Sequence, residues 1–326
     1  MTTAERPLTG QERAQALNVI TRQQRSLFRD AFDRLVKNKA AMLGLLIIVL
    51  AGIAALFAPV LAPKDPLLYK DAAGVANPSL MEPLWTSSKY TDDRFPLGTD
   101  QVGRDLLSRL IWGARVSMVV GFVPVALVFM IGVSLGLIAG YRGGRTDQIL
   151  MRLTDIIYAF PDLLFIIIIM ATLRNHFVGE ILGGLVLIFG AIALVNWVGM
   201  ARLVRGQVLS LKEKEYIEAA RTIGATDARI MRNHLFPNVL SPVIVSVAFA
   251  IPGAILAEAT LGFLGIGIKP PTPTWGAMMN EGYSVFSTTP WPVLLPAICI
   301  SILMLSFTFL GDGLRDALDP RMKGSS

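Results

Sequence analysis

The chain has 326 residues, 53% of them hydrophobic and only 17% charged, whereas soluble domains carry about 25% charge, so an ordinary cytosolic enzyme is excluded. Apolar residues are too plentiful for a disordered chain, and the 29 glycines follow no three-residue repeat. The single cysteine, Cys299, excludes an internal disulfide and any multi-cysteine metal site, while a net charge of +6 leaves nucleic acid to be weighed against where the charges sit.

Residues 1–39 are polar and charged. Over 12–37, Leu17, Ile20, Leu27, Phe28, Ala31, Phe32 and Leu35 recur at helical spacing, with Arg22, Arg25, Arg29 and Lys37 mostly off that side. Two readings fit: an amphipathic helix in the membrane interface, or a helix packed on a partner protein. The long polar stretch ahead of the first apolar run speaks against a cleavable signal peptide.

A spanning helix needs about 20 mostly apolar residues. Stretches almost free of Asp, Glu, Lys and Arg predict six such helices, near 40–61, 116–140, 156–173, 182–201, 240–262 and 291–311. In lipid each backbone group must be satisfied within its own segment, so these are helices rather than isolated strands. The expected fold is therefore an all-α integral membrane protein with six transmembrane helices. Pro124, Pro161, Pro242 and Pro252 lie in or near the spans and predict kinks. The organisation is an N-terminal segment 1–39, a first helix 40–61, an outer loop 62–115, a five-helix core 116–311 containing the loop 202–237, and a tail 312–326.

The outer loop ends in FPLGTDQVGRDLLSRLIWGARVSM. Gly98 and Gly103 punctuate turns, and Asp100 can cap a short amphipathic helix carrying Arg104, Asp105 and Arg109. Its charges read equally as local ion pairs on a solvated face. Farther on, Asp162 and Glu258 are the only acids inside predicted spans. Intramembrane carboxylates face an interior or water. Two readings stand: contact with a cationic solute, or pairing near the span ends.

The loop 202–237 is the most informative segment. LKEKEYIEAART forms a helix well, Gly224 suits its C-terminal turn, and Thr226 or Asp227 can start a second helix ending before Pro237. Ala219 and Ala220 beside Glu218 leave a small surface suited to docking in a groove; a solvated helical hairpin is the alternative. Gly262, Gly265 and Gly267 lack the strand-to-helix context of a dinucleotide site. His176 and His234 fall on opposite sides and cannot share a metal. Cys299 reads as a small packing residue.

Charge placement sets the orientation. With six spans, 21 of the 30 Lys and Arg fall on the side holding both termini and the 202–237 loop, and 9 on the other. Positive residues stay inside, so both termini are expected in the cytoplasm. The basic balance then reflects topology, and nucleic acid is not expected as a partner.

Glu218-Ala219-Ala220, then Gly224, then His234-Leu-Phe-Pro237 resembles the EAA loop of ABC importer permeases. GTDQVGRDLLSRLIWGAR (98–115), AEATLGFLGIGIKPPTPTWGAMM (257–279) and GDGLRDALDPR (311–321) resemble C-type subunits of dipeptide and oligopeptide permeases. Phe95 stands where that family usually has His. The resemblance covers roughly 25–323. It implies a MetI-like type I importer fold in a bacterial-type cytoplasmic (inner) membrane. The implied partners are a homologous second permease, two ATPase subunits and an extracytoplasmic solute-binding protein. It places Tyr216, Glu218, Ala219, Ala220, Gly224, Ala225, His234 and Pro237 in coupling to the ATPase. The implied cargo is a di- or oligopeptide, with nickel complexes or other small solutes as the alternative.

The chain carries no G-x-x-x-x-G-K-[ST] phosphate loop, so Mg-ATP is expected in the partner ATPases and no cofactor in this chain. A membrane-embedded enzyme would need paired acids at one depth, and Asp162 and Glu258 fall near opposite faces. A secondary transporter or channel would show a filter motif or an inverted repeat, and neither is evident.

Overall fold

Asn38 starts the first long helix: its side-chain oxygen accepts the Ala41 N–H at 3.2 Å, satisfying one donor the helix cannot pair. The helix itself, KAAMLGLLIIVLAGIAAL, is apolar on every side and has no face for water. The computed structural model describes residues 27–86 and 88–318. Its helices are α1 (Leu27–Lys37), α2 (Lys39–Leu56), α3 (Leu106–Arg142), α4 (Gly144–Tyr158), α5 (Asp162–Leu173), α6 (Leu185–Leu211), α7 (Glu215–Thr222), α8 (Asp227–Phe263), α9 (Trp275–Tyr283) and α10 (Trp291–Leu318). Single helical turns intervene, and the described residues contain no strand, only two isolated bridges.

Five of these helices, α2, α3, α6, α8 and α10, are long and apolar enough to cross a membrane. The third predicted span differs. It is a pair, α4 and α5, bent by 79° at the break before Pro161. Pro161 has no N–H to continue α4, and α5 alone has 12 residues, about 18 Å. The pair nonetheless returns the chain across the bundle, as the packing of α3 on α6 requires. Gly132, Gly136 and Gly140 of α3 lie against Met200, Val204 and Val208 of α6 in that order, so the two helices run parallel. The intervening segment must therefore travel back, which makes six crossings.

These glycines permit the approach. A Cβ on Gly136 would stand 2.6 Å from the Ala201 carbonyl oxygen and 2.7 Å from Val204 Cβ. Without an apolar–water contrast between helices in lipid, close backbone approach is what associates them. Gly136→Val should force α3 and α6 apart and destabilise the chain by about 1–3 kcal/mol. Thermal unfolding of the purified variant would read this as a lowered midpoint, and an unchanged midpoint would refute the packing account.

The other long helices pack antiparallel. Gly44 of α2 meets Ser306 of α10 while Ala41 meets Gly313, and Gly121 of α3 meets Ile251 and Ile255 of α8. Residues 27 and 318 thus lie at the same end as α7, with residues 62–105 capping the other end. Of the N-terminal amphipathic pattern, 12–26 lies outside the described residues, as does the tail from 319. Within α1, Leu35 reaches Gly313 of α10, and Phe32 and Val36 are exposed.

A further expectation is corrected. The second helix of the 202–237 loop does not stop before Pro237. It runs on as α8, through a π-helical turn at Met231–Leu235. The wider turn accommodates Pro237, which has no N–H to donate to the helical ladder. Pro124, Pro242 and Pro252 also lie inside continuous helices, as does Pro296.

The cap is a folded unit rather than a solvated loop. Thr99 Oγ1 donates to the Pro78 carbonyl at 2.7 Å and accepts the Met81 N–H at 3.0 Å. Lys64 Nζ stands 3.2 Å from the centroid of buried Phe95, and burial lowers its pKa from the usual lysine value. Asp105, not Asp100, caps the helix, accepting the Ser108 N–H at 2.8 Å. That helix is the start of α3 and not a separate element. Arg109 is buried and its Nη1 contacts Asp100 at 2.5 Å and Glu281 of α9 at 2.8 Å. Arg104 reaches the same two carboxylates, each at 2.6 Å. Three charges close in sequence and Glu281, more than 170 residues on, therefore join the cap to α9.

Candidate functional site

α7 is a two-turn helix held at one end of the bundle. Its inward positions are Ile217 and Ala220, both buried with Val208, Ile230, Leu235 and Val239. Its outward positions, Tyr216, Glu218 and Ala219, are exposed. The sequence had placed Ala220 on the docking surface beside Ala219. Ala220 instead packs on the chain's own body, because residues 217 and 220 share one helical face and Ile217 decides which face turns in.

The helix ends at Gly224, with φ +83°. The Gly224 N–H donates to the Arg221 carbonyl at 2.9 Å and the Ala225 N–H to the Ala220 carbonyl at 3.0 Å. This pair of bonds is the Schellman ending, and Ala225 makes its accompanying apolar contact. Ile223, just before the glycine, is 85% exposed. Sequence reasoning passed over it, although an isoleucine next to a turn glycine, outside any apolar period, was a usable signal.

Tyr141, at the end of α3, fastens this element. Its hydroxyl donates to Asp227 Oδ1 at 2.9 Å, and Arg221 of α7 lies 5.3 Å from its ring centroid. His234 and Tyr216 stack loosely, ring centroids 6.4 Å apart. His234 and Pro237 sit on the π turn and just beyond it. Arg205 of α6 forms a two-bond pair with Asp147 of α4, at 2.5 and 2.6 Å, tying α4 to the same end. The α7 element is thus joined to α3 directly and to α8 by chain continuity.

The two intramembrane acids are not equivalent. Asp162 is exposed at the start of α5 and lines a cleft of about 390 Å³ with Asn196 of α6 and Thr260 of α8. Val125, Phe249 and Ala257 supply apolar wall. Glu258 does not line this cleft, so of its two readings contact with a solute there is not met. It is fully buried near Thr274, and neither of its carboxylate oxygens makes a well-formed hydrogen bond. Position 258 is one residue from 257 on α8, and that rotation of about 100° separates cleft from interior.

A bundle crossing six times, capped at one end and carrying an exposed, firmly seated helical turn at the other, defines a multi-pass membrane protein. The chain belongs to the family of binding-protein-dependent transport system inner membrane components, whose model matches residues 132–324. A second model, the N-terminal transmembrane domain of oligopeptide transport permease C, matches residues 26–78. The oligopeptide transport system permease protein OppC of Bacillus subtilis is 40% identical, over 93% of this chain and 93% of its own. The dipeptide transport system permease protein DppC of the same organism is 40% identical over 96% and 92%. DppC of Haemophilus influenzae is 40% identical over 88% and 92%. A solved chain of the MetNI methionine ABC transporter in an inward-facing conformation aligns at 20% identity and a TM-score of 0.48, over 65% of this chain and 96% of that one.

Proposed function

We propose that this chain is the C-type permease subunit of an ATP-driven importer of di- or oligopeptides. The α7 element receives the push of the ATPase subunits. The observation that carries this reading is the exposed turn at Tyr216, Glu218, Ala219 and Ile223, seated on α3 and α8 through Tyr141 and Asp227. An element so fastened moves as a body, and closure of an ATPase pair against it tilts α3 and α8 together. Glu218 offers a charge-assisted contact to the ATPase, Ala219 a close approach, and Gly224 the turn that aims them. Mg-ATP belongs to those partners. The excess of Lys and Arg at the α7 end supports a cytoplasmic location for that end and both termini. The cap then faces the solute-binding protein, and a second, homologous permease completes the pathway.

Relatives that carry dipeptides and oligopeptides support the same cargo here. In the cleft, Asp162 is placed to meet a peptide's ammonium group, with Asn196 and Thr260 nearby for backbone groups. The test is uptake of labelled short peptides by proteoliposomes holding this chain, its partner permease, the ATPases and the binding protein. Uptake should require both ATP and binding protein. Asp162→Asn should raise the half-saturating concentration about tenfold, a charge-assisted hydrogen bond being worth about 1.5–3 kcal/mol. N-acetylated peptides should show no such change. Absence of peptide uptake, with ATPase activity still stimulated by the binding protein, would move the cargo to a nickel complex or another small solute.

A further inference from the structure

The membrane-level surface has two kinds of hollow. The cleft beside Asp162 carries polar groups. The other, between α2, α3 and α10, has a volume of about 390 Å³ and walls of Leu50, Ala51, Ala54, Leu110, Ile111 and Ile302. Its one nearby polar ring group, the Trp275 indole N–H, is turned away to donate to the Leu110 carbonyl at 3.0 Å. Apart from the Cys299 thiol, a weak donor, the described side chains lining this hollow offer no hydrogen-bonding group to a solute. A whole helix, about 10–12 Å across with side chains, does not fit within a hollow of this volume, only side chains projecting from one. A single extended hydrocarbon chain fits.

The surroundings point the same way. Of the five long helices, α2 and α10 are those the protein itself covers least. Exposed Val49 and Ile53 on α2, and Ile298 and Leu305 on α10, offer the surface that lipid tails solvate. Toward the cap, Trp85 and Trp291 form an edge-to-face pair with centroids 5.5 Å apart. Aromatic residues of this kind mark headgroup level.

A second observation is independent of the hollow. Arg115 is exposed and makes no ion pair among the described residues; its guanidinium lies 5.5 Å from the Trp112 ring centroid. It stands one turn from Ile111, so it shares a helix face with the wall of the hollow. Side chains on α3 lean toward that helix's N-terminus, which is the cap end, so Arg115 extends toward the headgroups. A lone guanidinium at such a boundary is complementary to a phosphate, which it can hold by two parallel bonds.

We propose that Arg115 and this hollow form a phospholipid site, with the phosphate on Arg115 and one acyl chain between α2, α3 and α10. The inference rests on membrane placement alone and stands whether or not the cargo is a peptide. Cys299 lines the hollow and reports on its occupancy.

The assembled complex would be stripped of lipid in detergent and then supplied with phosphatidylglycerol. Reaction of Cys299 with N-ethylmaleimide, read on this chain by mass spectrometry, should slow several-fold when the phospholipid is added. Native mass spectrometry of the complex released from phosphatidylglycerol nanodiscs should show a retained lipid. Arg115→Gln should lower that retention about tenfold, Arg115→Lys less, and Ala51→Phe should fill the hollow and displace the chain. Arg115 is on the surface, so its substitution leaves the fold intact even if Ala51→Phe does not. Equal Cys299 reactivity with and without lipid would overturn the proposal. So would protection that persists after delipidation, since a partner subunit would then occupy the hollow.

Discussion

Gly224→Pro should abolish ATP-driven uptake while the chain still inserts and assembles. The residue sits at φ +83°, and proline is locked near −65°. Proline also removes the N–H that binds the Arg221 carbonyl at 2.9 Å. The turn after α7 must reorganise, and Tyr216, Glu218, Ala219 and Ile223 lose their common presentation. Among the described residues nothing beyond its chain neighbours lies within 4 Å of a Cβ at this site, so the damage is conformational rather than steric. Gly224→Ala accordingly costs only about 1–2 kcal/mol, the left-handed penalty of an ordinary residue, and should retain part of the activity. Ala219→Arg complements it, because residue 219 is exposed and its enlargement leaves the chain's own packing alone. The readout is uptake alongside ATPase activity in the reconstituted complex. Full uptake with Gly224→Pro would sink the coupling assignment of α7.

Arg109→Ala unfastens the cap. Arg109 is buried and shares Asp100 and Glu281 with Arg104. Removing one partner of a buried ion pair typically costs 3–5 kcal/mol, because a desolvated charge is left behind. Glu281 keeps partial solvent access and Arg104 remains, so the expectation is the low end, about 3 kcal/mol. Arg109→Lys retains the charge but not the forked geometry, and should fall between. Thermal unfolding and limited proteolysis of residues 62–105 would follow the loss. A cap that stays protease-resistant with an unchanged midpoint would show that Thr99 and the Phe95 cluster hold it without the ion network.

Much of this was legible in the chain. Six apolar windows, the excess of Lys and Arg at one end, and the Glu218–Pro237 pattern depend on composition and local order, which lipid and helix geometry translate almost directly into structure. Some signals were present but passed over. Gly132, Gly136 and Gly140 repeat every four residues, which is the spacing of a close helix crossing. Ile223 was visible as an isolated apolar residue beside a turn glycine.

Other features were not legible from local order. Arg104, Arg109 and Asp100 looked like neighbours on a solvated helix, and only the return of Glu281 from α9 makes them a buried network. Asp162 and Glu258 looked alike as intramembrane acids; the one-residue step from Ala257 to Glu258 on α8 turns the Glu258 carboxylate into the interior while Asp162 opens on a cleft. Ala219 and Ala220 looked like one surface until Ile217 committed its face to the core. The sequence by itself determined the membrane class, the crossing pattern and the position of the exposed turn at Gly224, because each follows from local hydropathy, charge and backbone preference. Tertiary structure alone decided which charges are buried, which acid meets the cleft and which alanine faces outward, because those depend on contacts between residues far apart in the chain.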